Sequence, residues 1–172
     1  MAISSNTPTR LMLDAGDLFV NSTDVGATKS GGSFVVEQDI YFPELAGAKG
    51  ALAGTGTVVK ESATLAITLV EITMANLIIA IPTLASASDA TSEYTTTPDV
   101  GPIGSASHVT VIWQGHTTNV KHVQLILYNA LAEGGLTLNL EDGAETAYEI
   151  TFRSYTGVGN PKGRNWKMSL ER

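Results

Sequence analysis

The sequence predicts a mainly β protein: a two-sheet β-sandwich or open barrel with one flanking α-helix. Three observations support this. Apolar and polar residues alternate with period two over most of the apolar segments. Threonine, glycine and alanine are plentiful while aromatics make up only 6% of the chain, a mix suited to strands joined by small-residue turns. One short segment alone carries helical spacing. A length of 172 residues fits a single domain, 1–172, large enough to bury a core.

In chain order, "RLMLDAGDLFVN" (Arg10 to Asn21) is a strand pair turning at Ala15-Gly16, or one kinked strand. Residues 22–32 form a loop by composition. "SFVVEQDIYF" then places Phe34, Val36, Ile40 and Phe42 on one side, with Glu37, Asp39 and Tyr41 on the other. Pro43 ends this strand, because proline has no N–H to donate to a ladder. A Gly/Ala loop near 44–57 follows.

"VVKESATLAITLVEI" alternates again, with Val59, Ala63, Leu65, Ile67 and Leu69 on one face. Lys60, Ser62, Thr64, Ala66 and Thr68 lie on the other. From Val58 to Glu71 such a strand extends about 46 Å at roughly 3.3 Å per residue, far beyond the usual length. A strand longer than its core must bend or find partners elsewhere.

Helix is predicted over "TMANLIIAIP", where Met74, Leu77, Ile78 and Ile81 recur at i, i+3, i+4, i+7. Thr73 is its N-cap and Pro82 its stop. Residues 83–107, rich in Ser, Thr, Ala, Gly and Pro, predict a long surface loop, with room for a small excursion around Tyr94. Strands return at "HVTVIW", "KHVQLILYNAL", "LTLNL" and "YEITFRSYT". In the last, Tyr148, Ile150 and Phe152 oppose Glu149, Thr151, Arg153 and Tyr155. Residues Glu141 to Thr146 are turn-like.

Charge is unevenly spread. The formal net charge is −7, yet residues 1–150 carry 16 acids against 5 bases, while the end carries Arg153, Lys162, Arg164, Lys167 and Arg172 against Glu171. An acidic body argues against wrapping nucleic acid through phosphate neutralisation. The absence of cysteine excludes disulfides and thiolate metal sites. No secretory signal is expected from "MAISSNTPTRLMLDAGD", and the apolar stretch Leu77 to Ala87, broken by Pro82, is too short to span a bilayer.

Catalytic and ligand signals are weak. His108, His116 and His122 match no common metal-ligand spacing, so solvated or edge histidines are the better reading. "VGATKSGGS" lacks the Gly-Lys-Ser/Thr order of a phosphate loop. Glu37 and Asp39 could serve as acid and base, but polar strand faces carry such pairs routinely. Trp113 sits on an apolar strand face as a core residue. No enzyme, cofactor or metal is expected.

The segments "LDAGDLFVN", "VGATKSGGSFVVEQDIYFPELAGAKGALAGTGTVVKESATLAITLVEITMANL" and "AYEITFRSY", taken in order, resemble a phage major tail protein, the tail tube subunit of siphophages and related prophages. The resemblance spans roughly the whole chain and rests on the order of elements, not on a diagnostic motif. It implies hexameric rings stacked into a hollow tube, whose inner sheets close one barrel around a lumen that conducts double-stranded DNA without binding it specifically. It also implies a virion protein assembled in the host cytoplasm. Its partners would be copies of itself and the tape measure, tail terminator and distal tail proteins, with no membrane contact. Tubes of contractile tails and bacteriocins share the fold, and a capsid decoration protein is a further alternative. A carbohydrate-binding sandwich would need exposed aromatics along a face, and the chain has few.

On this resemblance the polar faces of the two long strands, Glu37, Asp39, Ser62, Thr64 and Thr68, are candidates to line the lumen. The alternative is that they face outer solvent. Ala46, Gly47, Lys49, Gly50, Gly54 and Gly56 are candidates for the tip of an inter-subunit hairpin. Lys162, Arg164, Lys167 and Arg172 are candidates for a basic contact with an acidic neighbour.

Overall fold

The structure is a computed structural model that describes residues 16–26, 28–29, 32–44, 46–47, 49–71, 73–81, 84–86, 94–96, 102–116, 122–135, 137–138, 146–157 and 163–170. In chain order these form β1 (Asp17–Val20), β2 (Thr23–Asp24), β3 (Ser33–Tyr41), β4 (Thr57–Leu69), α1 (Met74–Ala80), β5 (Leu84–Ser86) and β6 (Tyr94–Thr96). After a single 3-10 turn at Ser105–Ser107 come β7 (Val109–His116), β8 (His122–Glu133), β9 (Tyr148–Ser154) and β10 (Trp166–Leu170).

Eight strands form one antiparallel sheet in the order β2-β1-β7-β8-β9-β4-β3, with β10 also paired to β8. β5 and β6 make a separate two-stranded ribbon inside the segment predicted as a long loop. The main strands thus share one sheet; of the predicted sandwich or open barrel, no second large sheet is found among the described residues. The reason lies in β8. One edge of it pairs with β7. The other edge is divided, with Val123–Leu127 on β10 and Ala130–Glu133 on β9. One strand therefore feeds two limbs of a forked sheet.

Asn129 sits at the fork with φ 48, a left-handed conformation that asparagine tolerates better than most residues. Its carbonyl accepts the Tyr155 N–H, and the neighbouring Tyr128 N–H donates to the Asn165 carbonyl. The irregularity also shifts side-chain parity. Val123, Leu125 and Leu127 point inward before it, and Ala130 and Ala132 after it, so both halves of the strand reach the core.

The core draws on every large limb: Leu18 and Val20 of β1, Leu65, Ile67 and Leu69 of β4, Val111 and Trp113 of β7, and Ile150 and Phe152 of β9. Their alternation matches the sequence pattern because a half-buried strand turns every second side chain inward. Trp113 is buried among them as predicted. Its indole is so close to Gly16 and Gly115 that a Cβ on either would collide with the ring.

Helix α1 starts as predicted, with Thr73 Oγ1 accepting the Asn76 N–H at 3.2 Å. The face it buries matches the predicted stripe only in part. Ile78 is exposed, while Asn76 and Ala80 are buried and Ile79 and Ile81 pack on the core. Asn76 sets this rotation, since its Nδ2 donates to the Val25 carbonyl at 2.7 Å and the Glu71 carbonyl at 3.1 Å. Tyr148 Oη joins the group by donating to the Glu71 carbonyl at 2.9 Å. Burial pushes the Tyr148 hydroxyl above the usual tyrosine range, so it stays a donor.

Other predicted elements lie partly outside the described residues. These include the strand before Gly16, the helix stop at Pro82 and most of the turn at 141–146. Of "LTLNL", Thr137 and Leu138 are described, and neither is in a strand. Among the described residues no helix is long and apolar enough to cross a membrane.

Candidate functional site

The long β3–β4 hairpin divides into two parts with different surroundings. β4 pairs with β9 along Thr64–Leu69 on one edge, and with β3 along Thr57–Ala66 on the other. The last step belongs to Ser154, whose Oγ accepts the buried Ala63 N–H at 3.0 Å and so extends the ladder by a side chain. Past that point β4 pairs only with β3, and Thr57–Lys60 are all exposed. The strand is longer than the body it covers. Its remainder, with residues 37–41 of β3, projects as a two-stranded arm.

The arm keeps the apolar alternation of a buried strand without a core to meet it. Ile40 lies opposite Val58, and each is 50% exposed. Tyr41, Phe42 and Leu52 are exposed as well. Val59, predicted on the core face, is instead 69% exposed. The ladder shifts between Asp39, opposite Lys60, and Ile40, opposite Val58, so Val59 is left as the extra residue of a bulge. Clustered exposure of large apolar side chains on one element marks an interaction surface in soluble proteins.

The six tip candidates Ala46, Gly47, Lys49, Gly50, Gly54 and Gly56 are all exposed. A tight turn shapes part of the loop, with Thr55 Oγ1 donating to the Leu52 carbonyl at 2.8 Å. Gly56 lies under the Phe42 ring, where a Cβ would stand 2.8 Å from the ring edge.

The five polar candidates share the face of the sheet opposite the core. Register pairs Glu37 with Ser62, Val35 with Thr64, Thr64 with Arg153 and Thr68 with Glu149. The surface they make is not a smooth run of hydroxyls. Ser62 is only 6% exposed, against the expectation of an open position, and Arg153 Nη2 donates to its Oγ at 3.5 Å. Arg153 also pairs with Glu133 at 3.8 Å, and Glu133 accepts the Tyr155 hydroxyl. That bond, more than partial burial, holds the Tyr155 hydroxyl above its usual range.

Arg153, Lys60 and Glu133 thus belong to this face, although sequence reading counts Arg153 with the basic end. The signal was present in its parity, since Arg153 alternates with buried Phe152 beside Thr151. Two depressions follow the face. A notch of about 240 Å³ is lined by Glu37, Gln38, Asp39, Lys60 and Ser62. A groove of about 440 Å³ runs past Thr68, Glu133, Glu149 and Thr151.

Of the basic candidates, Arg164 and Lys167 are exposed on and before β10, while Lys162 and Arg172 lie outside the described residues. The histidines do not gather. His116 and His122 are backbone register partners at one end of the β7–β8 ladder, and His108 precedes the other end of β7, edge-on to the Tyr155 ring. Among the described residues no group of three or more His, Asp or Glu side chains is placed to hold a metal ion.

No family model matches the chain, and no curated protein matches it in sequence. Its structure is similar to the tube-terminating cap of the anti-feeding prophage, solved by cryo-electron microscopy, with a TM-score of 0.52. The likeness covers 99% of this chain and 95% of the cap at 10% sequence identity. The two proteins share a fold.

Proposed function

We propose that the protein is a structural, non-enzymatic subunit of a phage tail tube, whose hexameric rings stack around a lumen that conducts viral DNA. One observation carries this reading: a projecting hairpin arm, apolar on the side that continues the core face, on a fold shared with a tube cap. An isolated two-stranded ribbon is marginal in water, and its apolar side chains favour burial against another chain. Three strands of the sheet, β2, β3 and β10, also have only one ladder neighbour among the described residues. Pairing across copies in a closed ring would satisfy such edges. The virion is then the place of action, and the other tail proteins are its further partners.

A second reading follows from the same neighbour: a cap that ends a tube instead of building one. Negative-stain microscopy of the concentrated, purified protein separates them. Hollow tubes of many rings support the tube subunit. Single rings support the cap. Monodisperse monomers at all concentrations overturn both.

In the tube reading, the face carrying Glu37, Asp39, Thr64 and Thr68 lines the lumen. Acidic groups there repel phosphate and let DNA slide. Reversal of Glu37 and Asp39 to lysine is expected to leave assembly intact and to slow DNA release from particles, with the delay relieved by added salt. Unchanged release from normally assembled tails would place this face elsewhere.

A further inference from the structure

We propose that the start of the C-terminal strand β10 is a clasp that fixes the direction of the arm, and that Glu61 is the residue on which it closes. Glu61 is the last residue of β4 before the exposed stretch. Its carboxylate serves two elements at once. Oε1 accepts the indole N–H of Trp166 at 2.8 Å, and Oε2 accepts the Gln38 side-chain amide of β3 at 2.5 Å. Its backbone carbonyl accepts Asn165 Nδ2 at 3.3 Å. The Trp166 ring in turn meets Phe34 of β3 edge-on, with centroids 5.7 Å apart.

The location gives these contacts their consequence. β9 and β10 leave β8 on the same edge but as separate limbs. The arm belongs to the β9 limb and Trp166 to the other, so Glu61 is where the two limbs of the fork meet again. Without that tie, a ribbon flanked by no third strand would pivot where β9 ends. Charge-assisted hydrogen bonds from a rigid indole and an amide restrict such a pivot more than packing alone. Glu61 is thus a positioning residue. It touches no neighbour in this scheme, but it aims the side chains that do.

Hydrogen exchange on the monomer tests the clasp directly. Glu61→Ala should raise exchange of the arm amides in residues 38–41 and 57–60 by roughly tenfold, while β7, β8 and β9 stay unchanged. Trp166→Phe, which keeps a ring on Phe34 but lacks the donor, should raise the same set less. An increase spread evenly over the sheet, or none in either variant, overturns the clasp. Should Glu61→Ala not fold, Trp166→Phe decides alone. The assembly consequence rests on the tube reading: Glu61→Ala should raise the concentration needed for tubes roughly tenfold. Failure of the unaltered protein to assemble would count against that reading, while the exchange result would still decide the clasp.

Discussion

On the tube reading, replacing Ile40 with Asp and Val58 with Lys should yield a folded monomer that forms no tubes. The two residues face each other across the arm ladder and are equally exposed. In the monomer the exchange removes little buried area and places opposite charges on a cross-strand pair, so stability should change by about 0.5 kcal/mol or less. In the proposed tube the same side chains would meet a neighbour. Burying an Ile or Val is worth about 1.5–3 kcal/mol each, so losing both raises the assembly threshold at least about a hundredfold. Circular dichroism and sedimentation would establish the folded monomer, and micrographs the loss of tubes. Tubes at the original concentration would remove the arm from the assembly surface.

Gly16→Ala lowers the melting temperature by about 10 °C, whatever the assembly state. Two independent costs meet at this position. Gly16 has φ +78, where an L side chain strains the backbone by about 1–2 kcal/mol. Its new Cβ would also lie 2.6 Å from the Trp113 indole, forcing a shift in the core that costs about 1–3 kcal/mol. Gly50→Ala is the control: nothing lies within 4 Å of its Cβ position, and its stability should change by less than about 0.5 kcal/mol. Thermal unfolding of the two variants side by side measures the difference. Equal melting temperatures would mean that Trp113 has room to move.

The arm shows both the reach and the limit of sequence reading. Its length and glycine-rich tip are written in consecutive residues, and the structure has β4 running from Thr57 to Leu69. What sequence could not supply was the point where β9 stops. Strict alternation put Val59 on the core side, but a bulge and the end of the neighbouring strand put it in solvent. Ser62 erred in the opposite sense, because a residue 91 positions away covers it. Helix α1 was legible in its N-cap, which is local. Its buried face was legible only in part, because Asn76 reaches carbonyls outside the helix.

By itself the sequence determined a mainly β chain, the places of its long strands, one short helix and the polar faces of two strands, Glu37 and Asp39 on one and Ser62, Thr64 and Thr68 on the other. Period-two alternation, caps and turn residues act over a few positions, so they can be read directly. The tertiary structure alone decided that the strands share one sheet, that this sheet forks at Asn129, and that the fork is closed by Glu61 and Trp166, 105 positions apart. Those outcomes depend on which distant strands share a ladder and where each ladder ends. Alternation is the same for every possible neighbour, so it carries no record of that choice.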